Sequence, residues 1–87
     1  KNTNFYDLIY IDGNHLFEFV KRDIFNSLRF IKDDGIIVLD DYALKGWWDD
    51  GITKAVHFHE KEQNIRVIKK HNIFEYHHQC IIKKNLK

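Results

Sequence analysis

The sequence has no methionine and no proline, one cysteine, four glycines, and no apolar run of membrane-spanning length. These shortages exclude a good deal. A chain without methionine does not begin at a translation start, so the expectation is a piece of a longer protein. A single cysteine, Cys80, cannot build an internal disulfide framework and suits a reducing compartment, which makes the expected location cytoplasmic. A membrane helix needs about 20 consecutive apolar residues, so no membrane partner is expected. The first residues lack the basic, apolar and small-residue sections of a secretory signal. The glycines form neither a Walker sequence nor G-x-G-x-x-G, the loops that cradle phosphates.

What is present is a folded chain's composition. With 44% hydrophobic and 15% aromatic residues among 87, one small domain can offset its chain entropy. The net charge of +1 hides a split. Residues 1–51 hold 6 basic and 10 acidic residues, while residues 52–87 hold 8 and 3. The basic tail, with Lys69, Lys70, Lys83, Lys84 and Lys87, reads either as a solvated surface or as a meeting place for a phosphate. No nucleic-acid motif accompanies it.

Residues 5–11 are short, β-branched and aromatic, a strand ended by Gly13. Residues 15–31 repeat Leu16, Val20, Ile24, Leu28 and Ile31 on one helical face, with Asn14 as N-cap. Residues 32–35, KDDG, read as a turn. Residues 36–39 are apolar throughout, the pattern of a strand buried on both faces. After a loop over 42–50, Asp49 or Asp50 caps a second helix over about 51–62, with Ile52, Ala55, Val56 and His59 on one side. Strands over 65–70 and 79–84 close the chain, and their short link makes them antiparallel. The fold class is α/β: a sheet with two helices and an antiparallel last strand, as one domain over 1–87.

Both early strands stop at acid: Asp12 after the first, Asp40 and Asp41 after the second. Strands joined by a right-handed crossover are commonly neighbours, with their ends about 5 Å apart. The three carboxylates then converge where parallel sheets bind ligands. Oxygen-rich clusters suit hard cations, Mg²⁺ first. The competing reading has one Asp capping a helix and another in solvent. His15 reads as a proton acceptor or as a helix-start histidine bonded to backbone. Trp47 and Trp48 either wall a substrate or pin their loop to the core. His57 and His59 point to different sides of one helix, and His77 and His78 to opposite sides of an extended segment, so neither pair chelates an ion. Cys80 reads as a small buried hydrophobe.

"FYDLIYIDGNHLFEFVKRDI", then "LRFIKDDGIIVLDDY", then "DDGITKAV" resembles the second half of class I S-adenosylmethionine-dependent methyltransferases. Within that family it is similar to the metal-dependent O-methyltransferases of catechols, phenylpropanoids and sugars. The resemblance implies the C-terminal half of a Rossmann-like sheet with strand order 4-5-7-6. It implies a small hydroxylated substrate, S-adenosylmethionine as methyl donor, and Mg²⁺ held by Asp12, Asp40 and Asp41. It also implies His15 near the acceptor hydroxyl as base. Asn14 stands where the sugar branch often has a second acid, and Asp33-Asp34-Gly35 replaces Pro-Gly-Gly. The glycine-rich loop and ribose acid of the family belong to strands this chain does not include, so the chain by itself is expected neither to bind the cofactor nor to be active. A homodimer is left open. Two further readings stand beside this one. One is a non-catalytic half-domain used for assembly or partner binding. The other is a phospho-receiver module, whose acidic pair and single acid come in the opposite order.

Overall fold

In the computed structural model, which describes residues 5–13, 15–42, 50–74 and 77–86, two strand-helix units share one sheet. The elements are β1 (Tyr6–Ile11), α1 (Phe17–Phe30), β2 (Ile31–Asp40), α2 (Gly51–Lys61), β3 (Ile65–Phe74) and β4 (His77–Lys84). The strand order is β1-β2-β4-β3. β1 and β2 are parallel, and β4 runs antiparallel between β2 and β3. This is the expected 4-5-7-6 arrangement.

The register explains the core. Ile9 lies opposite Ile37 and Ile11 opposite Leu39, while Leu39 faces Cys80 and Ile37 faces Ile82. These residues share one face of the sheet and pack with Val20 and Ile24 of α1 and Ile52, Ala55 and Val56 of α2. Both helices therefore cover the same face. Right-handed crossovers that advance in one direction across a sheet leave their helices on one side. The expectation that residues 36–39 are buried on both faces is corrected here. Ile37 and Leu39 are buried, but Ile36 and Val38 are only half-buried, and Leu8 and Tyr10 beside them are 55% and 49% exposed.

Helix α1 begins later and ends earlier than its apolar period suggested. Leu16, not Asn14, holds the N-cap position in extended backbone and is exposed, while Ile31 is already extended. Ile31 is fully buried, and burial period alone cannot separate a helix's last turn from a strand's first residue. Asn14 lies outside the described residues.

The KDDG stretch belongs to β2, yet it behaves partly as the expected turn. Tyr6 pairs with Ile31 and Leu8 with Ile36, so five residues of β2 span two of β1. The extra length bulges outward, leaving residues 32–34 exposed and Gly35 buried. A Cβ on Gly35 would lie 2.8 Å from Ile31 Cγ1 and 2.9 Å from the Asp7 carbonyl oxygen, so only glycine lets the strand return this closely. Lys84 Nζ donates to the Ile31 carbonyl oxygen at 3.1 Å and pairs with Asp33 at 3.2 Å. Part of the basic tail thus holds the acidic bulge in place. Among the described residues no helix is long and apolar enough to cross a membrane.

Candidate functional site

The parallel pairing of β1 and β2 brings their carboxyl ends level, with Ile11 opposite Leu39. Asp12 follows the first strand and Asp40 ends the second. Asp41 then adopts a left-handed backbone, φ 59°, a conformation that Asp tolerates better than most residues. The chain turns sharply there, and the Asp41 carboxylate reaches His15, with Oδ2 2.8 Å from Nε2. Their side chains are 14% and 18% exposed. One potential ligand atom from each of Asp12, His15 and Asp41 lies within 4.8 Å of the others.

Asp40 is placed differently. It is nearly buried, its Oδ2 accepts a hydrogen bond from the Tyr10 hydroxyl at 2.6 Å, and its Oδ1 accepts from the Asp41 backbone N–H at 3.0 Å. The period of the strands is the cause: Tyr10 lies opposite Val38, so Tyr10 and Asp40 are diagonal neighbours on the uncovered face. The Tyr10 phenol is pushed up to about 12, first because its proton is held by Asp40, then by burial and by the charges of Asp40 and Asp12.

His15 is positioned from two sides. It sits just before α1, and the start of α2 presses against it. A Cβ on Gly51 would overlap the His15 carbonyl oxygen and lie 2.6 Å from Phe17 N. Only a residue without a side chain lets α2 begin here. Beneath the cluster lies a small apolar-floored void lined by Ile11, Val20, Leu39 and Ile52 together with Asp12, His15 and Asp40. Beside it, a groove of about 520 Å³ runs along the free edge of β1. It is lined by Tyr6, Leu8, Tyr10, Asp12 and Phe30, among others.

The structure thus brings together Asp12, His15 and Asp41, and turns Asp40 toward Tyr10. Trp47, Trp48 and Asp49 lie outside the described residues; the N-cap position of α2 belongs to Asp50. Sequence reasoning missed Tyr10 and Gly51. The signal for Tyr10 was its place two residues before Asp12, on the face of an edge strand. Nothing in the sequence announced the close approach at Gly51. Among the remaining histidines, His59 is a core group. Its Nε2 meets the Lys21 carbonyl oxygen at 2.8 Å and its Nδ1 the Asn64 amide at 2.9 Å. Cys80 is fully buried, and burial pushes its thiol up to about 11, the state of a packing residue rather than a nucleophile.

The donor set decides how well Mg²⁺ fits. The resemblance implied three carboxylates, but the three groups that converge are two carboxylates and an imidazole. Mg²⁺ prefers oxygen donors throughout, so this arrangement does not fit it as that reading required.

Comparison with known proteins adds two findings. Residues 2–42, which carry β1, α1, β2 and the candidates Asp12, His15, Asp40 and Asp41, match a family model described as a methyltransferase domain. No curated protein matches the chain. A crystal structure from Sulfolobus solfataricus, of a protein assigned as a type 11 methyltransferase, superposes with a TM-score of 0.69 at 22% identity. The match covers 98% of this chain and 53% of that one. At that identity the likeness shows the fold: the chain is a four-stranded α/β piece of a methyltransferase-type sheet, about half as long as the solved chain it resembles.

Proposed function

We propose that the chain is part of an S-adenosylmethionine-dependent methyltransferase acting on a hydroxyl of a small molecule, with His15 as the base that takes the hydroxyl proton. The observation that carries the reading is the His15–Asp41 pair, 2.8 Å apart at the carboxyl ends of two parallel strands. The match of residues 2–42 to a methyltransferase domain supports the reaction class.

An ionised carboxylate only accepts hydrogen bonds, so the His15 Nε2 that meets Asp41 carries the ring proton. With Nε2 turned to Asp41, Nδ1 is the ring nitrogen that would take the hydroxyl proton. Asp41 fixes this tautomer and steadies the imidazolium that forms when the proton arrives. A positioned base of this kind contributes roughly 10²–10⁴ in rate. S-adenosylmethionine, when bound, supplies an electrophilic methyl carbon. This chain's four glycines, at 13, 35, 46 and 51, form no glycine-rich loop. Its own contribution to the cofactor is a wall, the groove along β1, and the firm grip on the cofactor belongs to other residues. No step is routed through Mg²⁺. Trp47 and Trp48 complete the reading as walls for the acceptor.

The test is transfer of labelled methyl to a panel of small catechols, phenols and sugars by the whole protein. His15→Ala should lower kcat by about a hundredfold or more while leaving cofactor affinity within roughly twofold. An unchanged kcat would remove His15 from the chemistry.

A second reading, a half-domain kept for assembly, is favoured by one observation: among the described residues β1 is an edge strand, and its Leu8 and Tyr10 are about half exposed. Catalytic silence of the whole protein, with this face required for partner binding, would support it.

A further inference from the structure

We propose that Tyr42, His57 and Lys70, none of which belongs to the His15 cluster, form a binding site for a tetrahedral oxyanion of the phosphate class between α2 and β3.

The three side chains come from three places in the fold: the turn after β2, the middle of α2, and β3. Tyr42 is 3% exposed and its ring belongs to the core, while its hydroxyl lies 3.5 Å from His57 Nε2. Lys70 Nζ stands over the same ring, 5.5 Å from its centroid. A hydrogen bond with the Tyr42 hydroxyl comes first among the causes that hold the Lys70 ammonium above its ordinary pKa. His57 and Lys70 are both exposed. One buried residue thus carries its polar end outward, between an imidazole and an ammonium at the surface.

The place of Lys70 is the unusual part. In the β3–β4 pair it lies opposite Cys80, as Val67 lies opposite Ile82. Cys80 and Ile82 are fully buried beneath the helices, and side chains opposite one another share a face. Ile65 and Val67 use that face for the core. The register shift between Val67 and Lys69 then brings a lysine to it, where an apolar residue would extend the packing.

The donor set points to the ligand. An ammonium offers only donors, and a phenol and an imidazole each add one. Donors with a positive charge among them match a negative group with several acceptor oxygens, and charge-assisted bonds of this kind are the strong ones. A tetrahedral group can meet donors arriving from a turn, a helix and a strand, where a planar carboxylate has two oxygens to offer. Lys54 and Lys61, three residues before His57 and four after it, lie on its side of α2 and add positive charge. Glu60 is the acid that acts on Lys70, and it comes last among the causes. Of the basic residues toward the end of the chain, Lys84 is occupied with Asp33 and the Ile31 carbonyl oxygen, so the meeting place for a phosphate falls at Lys70.

The experiment titrates the whole protein with inorganic phosphate and, separately, with phenyl phosphate, at an ionic strength held constant with chloride. It is followed by calorimetry and by the ring ¹⁵N resonances of labelled histidine. The expected result is one saturable site, with the His57 ring signals moving and those of the core His59 staying in place. Lys70→Gln should weaken binding by at least roughly tenfold, and His57→Ala and Tyr42→Phe by roughly fivefold each. Lys83→Gln, on the opposite face of the sheet, should leave it within about twofold. Binding of either probe supports the site: a tighter ester assigns it to a phosphorylated organic molecule, and tighter inorganic phosphate to the free ion.

Heat that never saturates, or His57 signals unmoved by phosphate, would overturn the proposal and leave phosphate as a general counterion of the basic half. A loss from Lys83→Gln equal to that from Lys70→Gln would overturn it as well. The His57 signal is read in the unaltered protein, so a variant that fails to fold does not blunt the test. No methyl transfer is measured, so the result is the same whether or not His15 acts as a base.

Discussion

Asp40 and Asp41 are adjacent in sequence and opposite in role. Asp40 lies on a strand and its side chain goes where the pleat sends it, to the Tyr10 hydroxyl. Asp41 has left the strand, and its left-handed backbone swings the carboxylate to His15. A Tyr10→Phe change separates the two roles. It removes the hydroxyl that occupies Asp40, and the phenol titration that is pushed up to about 12 should vanish from the ultraviolet pH profile. The His15 ring signals should stay in place, because Asp41 is untouched. Movement of the His15 signals would show that Tyr10 acts on the cluster after all. Gly51 is the other residue on which the site depends. Gly51→Ala forces a methyl into the His15–Phe17 backbone. Overpacking of this kind costs about 1–3 kcal/mol, and for a domain of this size each kcal/mol lowers Tm by about 4–8 °C. A thermal melt within a degree of the parent would show that the approach is looser than the backbone contact implies.

The two helices are joined by a histidine rather than by apolar contact alone. His59 of α2 bonds the Lys21 carbonyl oxygen of α1 and takes the Asn64 amide after the helix end. Phe17 and Phe58 meet edge to face at 6.3 Å, with Lys21 Nζ over both rings at 5.1 and 4.9 Å. His59 uses Nε2–H to donate and Nδ1 to accept, so it is neutral in the fold. Burial lowers its pKa below the ordinary 6.5, with the Lys21 carbonyl opposing and the Lys21 charge assisting. A base with a depressed folded pKa binds its proton more readily when unfolded. Stability from this group is therefore full above about pH 6.5 and is lost as pH falls through the unfolded pKa toward the folded one. Urea unfolding between about pH 8 and about pH 5 should show that loss. His59→Gln, less stable at every pH, should lack that part of the slope. An identical slope in the variant would assign it to other groups.

At the scale of the molecule, one face of the sheet is packed under the helices, and among the described residues no helix covers the other. Ile37, Leu39, Cys80 and Ile82 are buried under both helices, while Leu8 and Tyr10 stand about half exposed on the reverse side. β1 is also an edge strand, and an apolar edge invites pairing. If the chain is part of a longer methyltransferase, as proposed, the rest of that protein is expected to cover both. The 87-residue chain alone should therefore show no measurable S-adenosylmethionine affinity by calorimetry, and should self-associate as its concentration rises. Leu8→Lys should lower that association without lowering Tm by more than a few degrees, since the side chain is not in the core. Micromolar cofactor binding by the isolated chain would contradict this division of labour.

The sequence alone determined the elements, their order and the sense of each strand. Residues 52, 55, 56 and 59 recur at helical spacing and all are buried, and the short link between the last strands permitted only an antiparallel pair. It also marked Asp12, His15, Asp40 and Asp41, because acid at the end of an apolar strand is visible without coordinates. It did not reveal which of these meet. Side chains on neighbouring strands choose partners by register and face, and the register depends on the bulge at residues 32–35, where five residues pass two. It did not reveal that residues 36–39 have one covered face, because an unbroken apolar run reads the same whether the second layer comes from this chain or from elsewhere. The turn at Asp41 and the approach of Gly51 to His15 join segments 26 and 36 residues apart along the chain. Contacts at that separation are made only when the sheet and both helices close on one another, so tertiary structure decided which of four legible residues form the site.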